Sequence, residues 1–256
     1  MNEVYETLEK YYDFVARKHD IFCVCVTGSQ CYNLSDDFSD IDAIAWAVPS
    51  FTDLVFGVPF TSVEYTMTNG SHCTVYDIRS LLKTFEDGNY IQYIPFWETT
   101  YVPEKYKYDY LRLKDAIQGT EYYNFEAMAK KMLGMCMGNI TQARKKVDKG
   151  DLKGAGKNFS YVLWNLFMLE NIEKDQTFQS KAYKISNKDR ESIMSYKRRG
   201  FVCNFEAETL LNGFETLFKG VEVSAIEKPT HSSLGRLYDW YLSFMASKVR
   251  EDIDYV

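Results

Sequence analysis

Along the N-terminal part of the chain the apolar positions change period from one segment to the next, and each period predicts an element. Val4, Leu8, Tyr11 or Tyr12, and Val15 recur at three- and four-residue steps, which predicts a helix within 3–18. "IFCVCVTG" (21–28) is a short, continuous apolar run ending in Gly; its length and β-branched content predict a strand buried on both faces. "IDAIAWAV" (41–48) predicts a second strand, closed by Pro49. "FTSVEYTMT" (60–68) and "CTVYDI" (73–78) are two more strand candidates, and the "NGSH" between them carries the Asn-Gly pair that favours a hairpin.

From residue 77 the period turns helical. "DIRSLLKTFEDGN" offers Asp77 as N-cap, Ile78, Leu81, Leu82 and Phe85 as its apolar stripe, and Gly88 as the stop. An aromatic, Pro-containing segment follows (90–110). Beyond it, "NFEAMAKKMLGMCMGNITQARKKV", "KNFSYVLWNLFMLENI" and "SLGRLYDWYLSFMASKVREDI" all read as helices. The second is apolar on most sides and therefore central, and the third has Ser233 as its cap. Gly134 and Gly138, four apart, suggest close packing against another helix. The predicted class is α+β: an α/β portion of about four strands and two helices over 1–110, then a helical portion over 111–256.

Composition narrows the setting. Of 256 residues, 46% are hydrophobic and 26% charged, which is ordinary for a globular chain. No apolar stretch approaches the roughly 20 residues that span a bilayer. The acidic, amphipathic start lacks the basic and apolar regions of a signal peptide, so a cytoplasmic protein with no membrane partner is expected. The six cysteines include no CxxC pair and there are three histidines, which fits reduced, mostly buried thiols better than a zinc site. A net charge of −6 argues against a nucleic-acid coat, while leaving room for a local basic groove. The Met-rich stretch around 128–137 reads as adaptable core.

The chemistry concentrates in "TGSQCYNLSDDFSDIDAIAWA" (27–47). Strand side chains alternate, so Asp40 and Asp42 share a face with Ile44 and Trp46, while Ile41, Ala43, Ala45 and Ala47 face the other way and are small enough for close helix packing. Two carboxylates so close repel each other, and a divalent cation resolves the conflict. Mg²⁺ prefers carboxylate oxygens and completes its shell with water and substrate phosphates. Gly28 at a strand end lets the backbone turn sharply and approach a ligand. Ser29 adds a hydroxyl donor at the start of a short helix. A phosphate cradle beside a metal clamp suits nucleotidyl transfer, in which paired metals stabilise both attacking and leaving oxygens.

The stretch "GSQCYNLSDDFSDID", with the hairpin and the "TVYDIRSLLKTFEDGNYIQYIPFW" that follow, resembles DNA-polymerase-β-like nucleotidyltransferases. Within them it is most similar to the branch associated with RNA-repair operons and phage genomes. The resemblance covers the N-terminal half well and the C-terminal half in outline. It implies a mixed sheet with flanking helices, Mg²⁺ (or Mn²⁺), and transfer of a nucleoside monophosphate from a nucleoside triphosphate. Residue by residue, Gly28 and Ser29 match the triphosphate-binding pair and Asp40 and Asp42 the first two metal carboxylates, with Ser39 of the Ser-Asp-Ile-Asp run on the nucleotide-binding side. Asn33 stands where the branch has Gly, a mild departure because Asn tolerates positive φ.

The third carboxylate of the family pattern departs more. Its position, on the strand after the hairpin, falls at or near His72, and Thr74 and Tyr76 share that strand face. Glu64, on the partner strand, is the remaining candidate for a third acid. In the family that carboxylate is the general base, so His72 is carried as a substituted catalytic position. Lys145, Lys146, Lys153 and Lys157 form a basic cluster that offers contacts to acceptor or phosphate, set against the plain reading of a charged helix end. Two functions stay in competition. One is a two-metal transferase acting on an RNA end, a protein or a small-molecule hydroxyl. The other is a catalytically degenerate nucleotide- or RNA-binding protein of the same fold.

Overall fold

The computed structural model describes residues 3–37, 39–118, 124–175, 183, 185–221 and 234–253. The chain divides into two compact units, Met1–Tyr123 together with Pro229–Val256, and Asn124–Lys228. In the first, α1 (Glu3–Val15) leads into β1 (Asp20–Val26), the one-turn α2 (Gly28–Cys31), β2 (Ala43–Val48) and α3 (Phe51–Val55). The hairpin β3 (Val63–Thr66) and β4 (His72–Asp77) follows, then a 3-10 turn, α4 (Leu81–Glu86), α5 (Tyr90–Tyr93), the two-residue β5 (Thr100–Tyr101) and α6 (Lys107–Gln118). The second unit is α7 (Phe125–Val147), α8 (Leu152–Asp175), α9 (Asn187–Arg199) and α10 (Asn204–Lys219), after which α11 (Gly235–Ile253) returns to the first.

The class is α+β, as expected. Among the described residues the strands form one five-stranded sheet in the order β3-β4-β2-β1-β5. It is mixed, because β2 and β4 run parallel and the other pairs antiparallel. The reading of four strands missed β5, which is too short to show a period and exists only because Thr100 and Tyr101 pair with Cys25 and Val24.

The alternation in β2 places its side chains as the pattern required. Ala43, Ala45 and Ala47 lie with Val24, Val26, Cys73 and Val75 under Leu8, Tyr11 and Val15 of α1, and Ile41 packs at the edge of the same cluster. Small side chains on the sheet let the helix approach closely. The opposite face is aromatic. Trp46 stacks on Phe96 with ring centroids 5.5 Å apart and also meets Tyr76. β1 is buried from Ile21 to Val26, on both faces. Its register to β2 shifts between Ile21 and Cys23, and the extra residue, Phe22, packs on Tyr106, Trp240 and Phe244.

That cluster explains why the unit extends past residue 110. The sequence pattern puts a boundary at 110, whereas α6 and α11 pack on each other within the first unit: Trp240 Nε1 donates to the Asp109 carbonyl at 3.0 Å. Ser233 lies outside the described residues.

In the second unit α8 is central, packing on α7 and α9. The close approach expected at Gly134 and Gly138 does not occur: both are exposed, and a Cβ on either would meet nothing within 4 Å. It occurs instead between Gly156 and Gly200. A Cβ on Gly156 would sit 2.4 Å from Gly200 Cα and 2.5 Å from the Tyr196 carbonyl oxygen. The spacing of two glycines on one helix reveals nothing about which face meets a neighbour, and α7 turns this face to solvent. Five of the six cysteines are buried and all six are free, as expected; Cys203 is exposed. Among the described residues no helix is long and apolar enough to cross a membrane.

Candidate functional site

β1 ends where β2 and β4 begin, so the sheet topology gathers at one end the loops that carry the candidate residues. The Thr27 N–H donates to the Asp42 carbonyl at 2.9 Å and the Val26 N–H to the Thr99 carbonyl at 3.0 Å, which ties the end of β1 between its two neighbours. The chain then turns at Gly28, with φ +65°. A Cβ there would lie 3.3 Å from Asp42 Oδ2, so the absent side chain makes room for this carboxylate as well as permitting the turn. The Ser29 carbonyl accepts from the Leu34 N–H at 2.9 Å, closing the loop after α2. Asn33 takes φ +58°, the left-handed conformation that its sequence position tolerates.

α2 is a single turn whose N-cap, Thr27, makes no side-chain capping bond. So short a helix has little macrodipole. What it offers an anion is a set of backbone N–H groups without intrahelical partners, together with the Ser29 hydroxyl.

Asp40 and Asp42 precede β2 rather than lying in it. Asp40 is exposed and Asp42 half-buried. Asp42 is held from two sides, with Oδ1 accepting the His72 N–H at 2.9 Å and Oδ2 facing Gly28. Parallel pairing of Ala43 with Cys73 puts Asp42 beside His72, the first residue of β4. Across the hairpin Thr66 pairs with His72 and Glu64 with Thr74, so Glu64 and His72 share a face. Their side chains meet, His72 Nδ1 to Glu64 Oε1, at 3.6 Å. Both are about half exposed or more, so the pair contributes little to stability. Its interest is positional: the acid on β3 reaches the place where β4 offers an imidazole.

The remaining candidates are placed differently. Ser39 serves the turn before Asp40: its hydroxyl donates to Asp36 Oδ1 at 2.9 Å and accepts from the Asp36 N–H at 3.0 Å. Asp77, the expected cap, accepts the Arg79 N–H at 2.7 Å. It is buried and ion-paired with the Arg79 guanidinium, which also donates to the Val58 carbonyl at 2.9 Å. The hydrogen bond to Asp77 holds the guanidinium above its ordinary pKa. Asp77 is thus committed to structure. In the second unit, Lys145, Lys153 and Lys157 are exposed, while Lys146 caps locally, donating to Asn158 Oδ1 at 2.7 Å and to the Gly154 carbonyl at 3.2 Å.

Among the described residues, no three His, Cys, Asp or Glu side chains come together in a way that could hold a metal ion. Two carboxylates at a loop mouth fit a magnesium ion that takes the rest of its shell from phosphates and water. Sequence reading missed a cleft of about 250 Å³ beyond the far end of the β3–β4 hairpin, lined by Phe60, Tyr76, Lys83, Asp87, Asn89 and Gln92 among others. The Gly88-Asn89 pair that stops α4 was the available signal.

No family model matches the chain, and no curated protein matches it. Among solved structures it is similar to a nucleotidyltransferase-like protein from Exiguobacterium sibiricum 255-15. The two share 13% identity with a TM-score of 0.36 over 84% of this chain and 74% of that one.

Proposed function

We propose that this chain is a nucleotidyltransferase of the DNA-polymerase-β-like kind, moving a nucleoside monophosphate from a nucleoside triphosphate to an acceptor hydroxyl. The observation that carries the reading is the double anchoring of Asp42, whose carboxylate lies against the Cβ-free side of Gly28 while its other oxygen accepts the His72 N–H. The loop that would cradle the phosphates and the carboxylate that would hold their cation are thereby one unit. Gly28 and Ser29 supply backbone N–H groups and a hydroxyl to the β- and γ-phosphates. Asp40 and Asp42 would hold Mg²⁺, which neutralises the triphosphate and makes its α-phosphorus electrophilic. In the reaction the acceptor oxygen bonds to the α-phosphorus, the bond to the bridging oxygen breaks, and pyrophosphate leaves with the electron pair. The acceptor proton passes to a base on the β3–β4 side of Asp42, where His72 and Glu64 stand.

A second reading, a nucleotide- or RNA-binding protein of the same fold without turnover, is favoured by one observation: His72 and not a carboxylate starts β4. One experiment separates them. Each α-³²P-labelled triphosphate is incubated with the protein, Mg²⁺ or Mn²⁺, total RNA and protein acceptors, beside the Asp40→Ala/Asp42→Ala double variant. Label that appears and is lost in the variant supports the transferase. Thermal stabilisation by triphosphates without label supports the binding protein, and neither response overturns both.

A further inference from the structure

The β3–β4 hairpin presents a continuous open strip on one face. Thr66 pairs with His72 and Glu64 with Thr74, and beyond the last paired residues Ser62 and Tyr76 both line the cleft. Every one of these six residues is exposed or half-buried, although the neighbouring β2 is fully buried. The strip therefore runs from the Asp42–His72 site to the cleft. His72 and Tyr76 are four residue steps apart along the strand, about 13 Å at ~3.3 Å per step.

The lining of the cleft combines aromatic, amide and oppositely charged side chains. Phe60 and Tyr76 give its lining two aromatic rings. Among the described residues the side chains of Lys83, Asp87 and Asn89 make no hydrogen bond or ion pair, and the Gln92 amide meets only the Thr84 hydroxyl, at 3.0 Å. The cleft thus offers two amides with hydrogen-bonding capacity to spare, one cation and one anion. Lys83 and Asp87 balance in charge, so the lining has no clamp for phosphate, and the strip leading to it carries Glu64. A heterocycle with both donors and acceptors on its edge satisfies this set, while a polyanionic segment does not.

We propose that the cleft is a base subsite: it holds the nucleobase of a nucleotide or nucleoside whose reacting end lies at Asp42. The inference rests on the transferase reading only for what happens at that end. The chemistry is the same whether the base belongs to the donor triphosphate or to a nucleoside-bearing acceptor, and the test distinguishes the two.

The test uses the full chain and two variants, Gln92→Leu and Asn89→Ala, each shown by thermal unfolding to be folded. Calorimetry measures affinity for the four ribonucleosides and the four triphosphates, and the transfer assay measures KM for each triphosphate. Loss of one amide contact is expected to weaken the preferred base about tenfold and to flatten the ranking among bases. A changed ranking among triphosphates assigns the donor's base. An unchanged triphosphate ranking with weakened nucleoside binding assigns the acceptor's. Should both folded variants leave every affinity and KM within about twofold, the base subsite is overturned, whatever the transfer assay shows. If base affinity falls in the variants but the wild type transfers no label, the subsite stands and the transferase reading alone fails. Nucleosides and triphosphates that bind to no form of the protein would sink the subsite as well.

Discussion

Asp42 Oδ1 accepts a hydrogen bond from the backbone N–H of His72 at 2.9 Å, across the parallel junction of β2 and β4. A side chain in the loop before one strand is thus positioned by the backbone of the strand beside it. Any residue at position 72 except proline can donate that bond. The identity of His72 is therefore free to differ from a carboxylate without disturbing Asp42.

This makes the role of the Asp42 charge separable from its role in the fold. Asp42→Asn keeps an oxygen for the His72 N–H but loses the negative charge. Transfer activity is expected to fall at least a hundredfold, while the midpoint of thermal unfolding moves by only a few degrees, as befits a hydrogen bond worth about 1 kcal/mol that is largely retained. Activity within tenfold of wild type, with the fold intact, would remove Asp42 from the proposed metal-binding role.

Gly28→Ala meets two obstacles. The φ of +65° costs an alanine about 1 kcal/mol, and its Cβ would press on Asp42 Oδ2 at 3.3 Å. Gly57→Ala is the matched control, with φ +61° and open space around the new methyl. Chemical denaturation is expected to show a loss in both, larger in Gly28→Ala by the cost of moving the Asp42 carboxylate. Nucleotide binding should weaken in Gly28→Ala alone, because only there does the methyl displace a site residue. Equal binding by both variants would detach Gly28 from the site.

The second unit offers a contrast between glycines that touch and glycines that do not. Gly156→Ala puts a carbon 2.4 Å from the Gly200 Cα, backbone against backbone, and is expected to cost 3 kcal/mol or more, roughly the penalty of severe overpacking. Gly138→Ala, in the open on α7, should stabilise by about 0.5–1 kcal/mol because alanine is the better helix former. Urea unfolding of both variants reads the difference. A destabilised Gly138→Ala would mean that this face of α7 is covered.

His19 sets a pH dependence. Its Nε2 lies 2.8 Å from the Tyr65 hydroxyl, and burial, assisted by neighbouring Lys18, lowers its pKa below the ordinary 6.5. The folded protein therefore binds this proton less readily than the unfolded chain, so stability falls as pH drops below about 6.5 and the loss saturates below the lowered pKa. His19→Gln keeps a hydrogen-bonding group and removes the titration. Its unfolding free energy is expected to decline less than wild type's between pH 7 and 5. Parallel curves would assign the acid sensitivity elsewhere.

The sequence by itself determined the elements that have a period and the residues bound by local stereochemistry. Alternation in 41–48 put Asp42, Ile44 and Trp46 on one side and the alanines on the other. The Asn-Gly pair located the hairpin, and Asp77 capped the following turn, because all of these depend on neighbours a few residues away. Asn33 could be read for the same reason: its left-handed backbone is a property of one residue. The tertiary structure decided what lies between distant residues. It made β5 from two residues, placed β2 beside β4, inserted Phe22 as the extra residue that packs on α11, returned α11 to the sheet unit, and chose Gly156 and Gly200 over Gly134 and Gly138. The contact between Glu64 and His72 is of this kind as well. The pattern put both on hairpin strands, and only the register, Thr66 against His72, brought the acid within 3.6 Å of the imidazole. A periodic pattern fixes which face a side chain occupies; its partner is fixed by register and chain return, which are decided by packing across the whole unit.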